Sequence, residues 1–201
     1  MGVLKMRCLR SLARIYPGLA LFGRTIAGRG EFEASAVSVK DIGPSAAVMG
    51  PLTTVRLPHP EDAARYRIER GDVLVAVRGT VPKVAVASER LAGAVLTATL
   101  AGVRLDEGLL LPEVLAAYLR SDLGQSAILA MVRSATGQIA LTVRDIGSLE
   151  VPVPPMEVQR RVVAMASELN SYEEYTAQAL ELRRQVTQQL VAGLLAGERN
   201  A

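Results

Sequence analysis

The segment 156–201 contains no proline, and its first glycine is Gly193. Nothing therefore interrupts helical hydrogen bonding over the 37 residues from 156 to 192. Apolar side chains recur along this segment at steps of three or four residues, which is typical of one face of a helix. The members of this stripe that we expect to meet a partner are Val158, Val162, Met165, Leu169, Tyr172, Leu182, Val186 and Leu190. A helix of this length would be roughly 60 Å long, more than a small domain can cover, so a coiled-coil-type contact is expected rather than a helix folded back on its own domain.

Three prolines separate this helix from the rest of the chain. Pro152, Pro154 and Pro155 hold the backbone extended and carry no amide donor, so the preceding strand cannot continue smoothly into the helix. The sequence therefore predicts two parts, a globular domain over residues 1–154 and a long helix over residues 155–201.

The first 154 residues alternate short β-rich runs with glycine and proline turns. One helix is predicted near 112–123, with Pro112 in its first turn and Gly124 as its stop. Strands are predicted over 36–39, 73–77, 84–86, 95–100 and 139–143. The buried face of the helix is predicted to consist of Val114, Leu115, Tyr118 and Leu119. The predicted fold class is α+β, an irregular domain with a curved or barrel-like sheet followed by the long helix.

The charge is mild overall but uneven along the chain. The formal net charge is +3, from 23 basic and 20 acidic side chains. Residues 1–40 carry seven basic and two acidic side chains, whereas residues 101–201 carry nine basic and twelve acidic ones. The local basic excess suits a docking face for a polyanion such as DNA.

Composition also argues against several classes of protein. The single cysteine, Cys8, cannot form an intramolecular disulfide and has no metal-ligand spacing to other residues, so a reducing cytoplasm is the simplest location. No apolar run reaches the length of about 20 residues that spans a bilayer, so no membrane is expected among the partners. The arginine-rich opening of the chain lacks the apolar core and the cleavage site of a targeting peptide.

Two polar loops carry side chains suited to contact DNA. In the loop 78–83, Arg78 and Lys83 can bind phosphates and Thr80 offers a hydroxyl. Arginine and glutamine can each form paired hydrogen bonds with base edges, to guanine and to adenine respectively. The loop 133–138 presents these types of side chain as Arg133, Ser134, Thr136 and Gln138. The alternative for each loop is an ordinary solvated connector.

Further basic side chains lie in loops of the first 60 residues. Arg24 and Arg29 are retained as candidate DNA contacts, and Arg56 and His59 lie in a similar loop. For each of these residues alone, solvated surface charge is the simpler interpretation.

Two segments of the chain resemble a known family. The segment 66–86, YRIERGDVLVAVRGTVPKVAV, has a Gly-Asp turn, a buried strand and an Arg-Gly-Thr turn. The segment 136–170, TGQIALTVRDIGSLEVPVPPMEVQRRVVAMASELN, joins a polar turn and a strand to the proline stop and the long helix. Both resemble the target-recognition domain and spacer helix of specificity subunits of type I restriction-modification systems. Gln159 matches the glutamine with which the family's spacer helix begins, whereas Met156 and Val158 depart from the residues expected there.

The resemblance implies recognition of double-stranded DNA. Full-length family members carry two recognition domains and two antiparallel spacer helices, and this chain carries one of each. The resemblance therefore implies a half-size subunit that pairs through its helix with a second copy or with another half-size subunit. Such a pair would recognise two separated half-sites. The resemblance also implies a partner methyltransferase that brings S-adenosylmethionine, and a motor nuclease that brings ATP, with no cofactor in this chain.

Catalytic alternatives fail at specific residues. The glycines of 23–30 have the spacing of a phosphate loop, but Arg29 and Gly30 stand where lysine and Ser/Thr would bind phosphate and magnesium. The Pro154-Pro155 step lacks the preceding Asp or Asn of an adenine methyltransferase. The only histidine has no nucleophile nearby in sequence. The chain is therefore expected to be non-catalytic. The hypothesis that competes with DNA recognition is an interaction adaptor in a phage-defence assembly that has lost base recognition.

Overall fold

A computed structural model describes residues 5–20, 32–43, 46–48, 50–132 and 138–197. Its strands are β1 (Lys5–Cys8), β2 (Ala13–Pro17), β3 (Phe32–Val37), β4 (Thr53–Leu57), β5 (Val73–Ala76), β6 (Arg78–Gly79), β7 (Val84–Val86), β8 (Val95–Leu96), β9 (Leu100–Leu105), β10 (Ile139–Ala140) and β11 (Glu150–Val153). Its α-helices are α1 (Pro60–Ala64), α2 (Pro112–Arg120), α3 (Asp122–Ala130), α4 (Val143–Ser148) and α5 (Met156–Gly197). Short 3-10 helices lie at Leu9–Ser11, Val39–Asp41 and Glu89–Leu91.

The central antiparallel sheet has the strand order β2, β9, β5, β7 and is covered on both faces. Val73 and Val75 of β5 belong to a hydrophobic cluster that includes residues of α2, α3 and α4. Leu74 and Ala76 belong to a second cluster on the other face, because successive side chains of a strand point to opposite sides. Burial on both faces explains why the segment 73–77 is apolar throughout instead of alternating with polar residues.

The described residues of the N-terminal part form three further, smaller sheets. β3 pairs with β4 and, in parallel orientation, with β8. β1 pairs with β11, which places Lys5 opposite Val153, and β6 pairs with β10. The sheets formed by the described strands are all open. The predicted mixed α and β class is therefore confirmed, whereas the barrel-like sheet is not found.

The helix predicted around Pro112 is in fact two helices. α2 has Pro112 in its first turn, as predicted, but it ends at Arg120. Ser121 caps a new helix, α3, and its hydroxyl accepts a hydrogen bond from the Gly124 amide at 3.3 Å. We predicted Gly124 as the end of the helix, and this prediction is wrong. Gly124 instead belongs to the first turn of α3. A side chain at this position would collide with the backbone at Tyr118.

Several predicted strands have different limits in the structure. The strand at 84–86 is confirmed, and β5 lies within the predicted 73–77. The strand predicted at 139–143 stops at Ala140, because Thr142 and Asp145 form a capping box that starts α4, with the Thr142 amide 2.8 Å from Asp145 Oδ2. The run 95–100 is split by a turn in which the Leu100 amide donates to the Thr97 carbonyl. The strand predicted at 36–39 instead spans Phe32–Val37.

Helix α5 continues for 42 residues from Met156. By their internal contacts the residues divide into two units, Met1–Val163 and Ala164–Ala201. Val162 and Val163, in the first turns of α5, pack against the core of the first unit. None of the helices within the described ranges combines the length and the apolar character needed to cross a membrane.

Candidate nucleic-acid interface

The strands that border the two loops predicted to contact DNA pair with each other in the structure. β6, which begins the loop 78–83, pairs with β10, which directly follows the loop 133–138. Arg78 lies opposite Ala140, and Gly79 lies opposite Ile139. The pairing extends by one hydrogen bond of 3.1 Å from the Leu141 amide to the Val77 carbonyl. Residues that are far apart in sequence are thereby placed side by side at the surface.

Arg78 supports this pairing with its own side chain. Its Nη1 donates to the carbonyl of Val77 at 2.9 Å and to that of Leu141 at 3.0 Å. Arginine has five N–H donors in a planar fork, so these two bonds leave further donors for a phosphate or a base. The residue is exposed to solvent. Its guanidinium is therefore both a structural contact and a candidate DNA contact.

The tip of the paired strands presents two uncharged polar groups. Thr80 directly follows β6, and Gln138 directly precedes β10. Both residues are exposed. Gly79 has a φ of 133°, a conformation that residues with a side chain rarely adopt, which explains a glycine at this turn.

Two of the three ammonium donors of Lys83 form hydrogen bonds within the protein. Its Nζ donates to the carbonyl of Ile42 at 2.7 Å and to that of Val39 at 3.3 Å, at the end of the 3-10 helix Val39–Asp41. The side chain is half-buried, and an ammonium group has three donors, so one remains. The role in phosphate binding predicted for Lys83 stays a prediction, and the structure adds a second role in holding two loops together.

A cleft lies beside Lys83. Its volume is about 420 Å³, and its wall is completed by residues that sequence analysis did not single out, namely Arg120 at the end of α2 and Gln125 in α3. Their signal in the sequence was weak, because a polar residue on an amphipathic helix is usually only solvated. The cleft therefore has two basic side chains, Lys83 and Arg120, in its wall.

A buried carboxylate anchors the strand that leads into this interface. Asp72, directly before β5, accepts hydrogen bonds from the Tyr16 hydroxyl at 2.6 Å and from the Glu69 amide at 2.7 Å. Arg104 donates to both of its oxygens at 2.8 Å, through Nε and Nη2. The side chain of Asp72 is 0% exposed, so this bidentate ion pair supplies the compensation that a buried charge requires.

Arg104 connects the buried carboxylate to the surface. Its Nη1 forms an ion pair with the more exposed Glu69, and its guanidinium carbon lies 5.4 Å from the centre of the Tyr16 ring. Burial raises the pKa of the Tyr16 hydroxyl above its ordinary value, and the hydrogen bond to Asp72 raises it further. The hydrogen bond to Asp72 also raises the pKa of Arg104. Both groups therefore keep their protons at physiological pH, and the network is a fixed support.

Among the remaining candidate DNA contacts and basic loop residues, Arg56 is described by the structure and several others are not. Arg56 forms an ion pair of 2.6 Å with Glu33, and their side chains are 49% and 56% exposed. Such a solvated pair contributes little to stability and agrees with the interpretation of Arg56 as surface charge. The candidates that lie outside the described residues are Arg24, Arg29, Arg133, Ser134 and Thr136.

The apolar stripe of α5 is exposed within the second unit. The exposed fraction is 70% for Met165 and Tyr172, and 54% for Leu169. The fractions for Leu182, Val186 and Leu190 lie between 54% and 63%. Val158, nearer the start of the helix, is 43% exposed, whereas Val162 is half-buried against the core of the first unit. Along the predicted stripe, the residues that are more than half exposed therefore begin at Met165.

The structure is similar to solved structures of type I restriction-modification proteins. A chain from a study of complex assembly and conformational transition of the type I restriction-modification system has a TM-score of 0.64 and 22% identity, covering 92% of this chain and 46% of that chain. For the HsdS subunit from Thermoanaerobacter tengcongensis the TM-score is 0.59 with 22% identity, covering 87% of this chain and 39% of that one. For a type I S subunit from M. genitalium it is 0.54 with 18% identity, covering 87% and 40%.

These similarities establish the fold. The chain has the fold of type I restriction-modification S subunits, as its sequence resemblance implied, and spans less than half the length of the chains it matches. No family model and no curated protein matches the sequence. Within the described residues, no group of three or more His, Cys, Asp or Glu side chains is arranged to hold a metal ion.

Proposed function

We propose that this chain recognises a short sequence of double-stranded DNA, as a specificity subunit of a type I restriction-modification system or a related system. The observation that carries the proposal is the pairing of β6 with β10, which brings the start of the loop 78–83 close to Gln138, whose side chain also suits DNA contact. The similarity of the fold to S subunits supports the same function.

The side chains of the interface divide into two roles. Arg78 and Lys83 carry charge close to backbone carbonyls of their own domain, which fixes their position, so they would bind phosphates and set the register on the duplex. Gln138, with Arg133 from the same loop, would form hydrogen bonds to base edges in the major groove. Phosphate contacts weaken with salt regardless of sequence, whereas base contacts determine specificity.

Pairing through α5 would join two recognition domains. The exposed stripe from Met165 to Leu190 gives the helix an apolar face that a second helix of the same kind can cover. The second helix would come from an identical copy or from another polypeptide with the same fold. Two domains joined in this way recognise a bipartite site, and a twofold axis makes its half-sites inverted copies.

The chemistry would belong to other subunits. A partner methyltransferase that binds S-adenosylmethionine would modify adenine in the recognised site, and a motor nuclease that uses ATP would cleave unmodified DNA. In this proposal the chain itself supplies the position on the DNA and performs no reaction.

Selection from a random duplex pool tests the proposal. The protein, alone and with a methyltransferase subunit, is incubated with the pool, and bound duplexes are sequenced after several rounds. We expect two short enriched motifs separated by a fixed number of unspecified base pairs. A pool that shows no enriched motif under either condition would refute sequence recognition. It would favour the adaptor hypothesis, with which the internal bonds of Arg78 and Lys83 also agree.

A further inference from the structure

Gln159 makes contacts that go beyond starting a helix. It lies in the first turn of α5 and is 1% exposed, and among the described residues it is one of three buried polar side chains, with Asp72 and Thr97. Its Oε1 accepts a hydrogen bond of 2.9 Å from the Leu111 amide. Its Nε2 donates to the carbonyl of Leu109 at 3.0 Å and to that of Pro154 at 2.9 Å.

These three hydrogen bonds join the first turn of α5 to two segments of the N-terminal unit, residues 109–111 before α2 and Pro154 before α5. Leu111 is the N-cap of α2 and forms no capping bond with its own side chain, and the Gln159 carboxamide supplies a hydrogen-bond acceptor for its amide. Leu109 belongs to the loop before α2, and Pro154 belongs to the extended segment before α5. A carboxamide is suited to this position because it both accepts and donates, whereas a carboxylate only accepts.

The prolines before the helix do not make this attachment on their own. Proline fixes φ but leaves ψ free, so the rings of Pro154 and Pro155 only stiffen the segment, and Pro154 takes part in the attachment through its carbonyl. The Gln159 amide supplies hydrogen bonds, and Val162 and Val163 add apolar contacts with the core of the first unit. The first two turns of α5 are thus held to the recognition domain at several points.

We propose that Gln159 is a positioning residue that limits the number of base pairs allowed between two half-sites. The inference rests on the proposed function, in which α5 joins two recognition domains. A helix that is firmly attached at its base transmits one separation, whereas a loosely attached helix permits several. Gln159 touches no base in this proposal, so its loss should change the spacer preference and not the bases recognised.

The test compares Gln159→Met, which removes all three hydrogen bonds at similar volume, with Gln159→Glu, which keeps only the acceptor. Gln185→Met is the matched control, because Gln185 lies on the same helix and is exposed. Each protein is titrated against duplexes that carry the selected half-sites at every spacer length across one turn of DNA. Hydrogen exchange of the Leu111 amide reports on the attachment itself.

We expect wild type and Gln185→Met to prefer one spacer length. Gln159→Met should retain the half-site bases but lose about tenfold of the preference for that length over its neighbours, with Gln159→Glu between them. The Leu111 amide should exchange about tenfold faster in Gln159→Met. An unchanged spacer preference despite faster exchange would overturn the inference, and so would loss of the half-site bases in both Gln159 variants. Absence of any selected half-site with the wild type would instead refute the proposed function.

Discussion

At the scale of single residues, Asp72 combines complete burial with a negative charge, and its loss leaves other polar groups without compensation. Asp72→Asn replaces one acceptor oxygen by an NH2 group, which cannot receive the hydrogen bonds of Arg104 or Tyr16. We expect the free energy of unfolding to fall by about 3 kcal/mol, the magnitude typical of breaking a buried ion pair from one side. Urea denaturation followed by circular dichroism measures this change.

The matched variant for that experiment is Glu69→Gln, which alters the solvent-exposed partner of the same arginine. The Glu69 side chain is 63% exposed, so its ion pair with Arg104 is screened by water. The expected loss is below about 1 kcal/mol. Equal losses from the two variants would show that the buried carboxylate is not the centre of the network.

Gln138 should affect specificity, because it is exposed at the tip of the paired strands β6 and β10. Gln138→Ala is expected to reduce discrimination at one base pair by roughly 1 to 3 kcal/mol, whereas Lys83→Ala should weaken binding to all sequences alike. Titrations with duplexes that carry single base substitutions separate the two effects. Gln185→Ala, on the exposed surface of α5, should leave both quantities unchanged, and uniform losses from Gln138→Ala would contradict its assignment to base recognition.

The sequence allowed candidate side chains for DNA contact to be chosen, but it did not allow the partners of buried polar groups to be chosen. Arg78, Thr80 and Gln138 could be chosen because their chemistry suits DNA, and the Gly-Asp turn at 71–72 was visible as a motif. The partners of Asp72 could not be chosen, since Tyr16 and Arg104 lie 56 and 32 residues away along the chain. Only the sheet order, with β9 between β2 and β5, brings them together.

At the scale of secondary-structure elements, two helical glycines should respond in opposite ways to alanine. A Cβ at Gly124 in α3 would collide with the Tyr118 carbonyl and the Leu119 backbone, so α2 and α3 would have to separate. We expect Gly124→Ala to lower the free energy of unfolding by roughly 2 to 4 kcal/mol. A Cβ at Gly193 in α5 meets nothing within 4 Å. Gly193→Ala should instead stabilise its helix by about 1 kcal/mol.

Thermal unfolding followed by circular dichroism compares the two glycine variants. A Gly124→Ala variant with unchanged stability would contradict the close approach between the end of α2 and the start of α3.

The boundary between α2 and α3 was difficult to predict from the sequence. Glycine is a strong signal for a helix stop, and the weaker signal of Ser121 as a cap identifies the true boundary. Likewise, Thr142 and Asp145 carry the capping-box pattern that ends the predicted strand early.

At the scale of the whole molecule, the long helix was the feature most directly predictable from the sequence. Its start at Met156 follows from the prolines before it, and its length follows from the absence of breakers. The partner-facing stripe stays a prediction, because periodicity alone cannot separate a residue that packs on its own domain from one that awaits a partner. Val162 shows this: it belongs to the heptad-like spacing, yet it packs against the core of the first unit.

Charges introduced into the exposed part of the stripe test pairing through α5. The double variant Leu169→Glu, Leu182→Glu places two carboxylates per chain, and four per homodimer, on the apolar face that a second helix would cover. Burying unpaired charge is costly, so we expect self-association, measured by sedimentation velocity, to weaken by roughly 100-fold or more. The control variant Gln188→Glu, on the same helix, should weaken self-association much less.

The same double variant also separates pairing from DNA recognition. Because its substitutions lie within residues 164–201, the recognition domain should still bind a single half-site with unchanged base preference. It should no longer gain affinity from a second half-site, since that gain requires two linked domains. A variant that is monomeric in solution yet still favours the bipartite duplex would show that DNA, or another subunit, brings the two domains together without the α5 stripe.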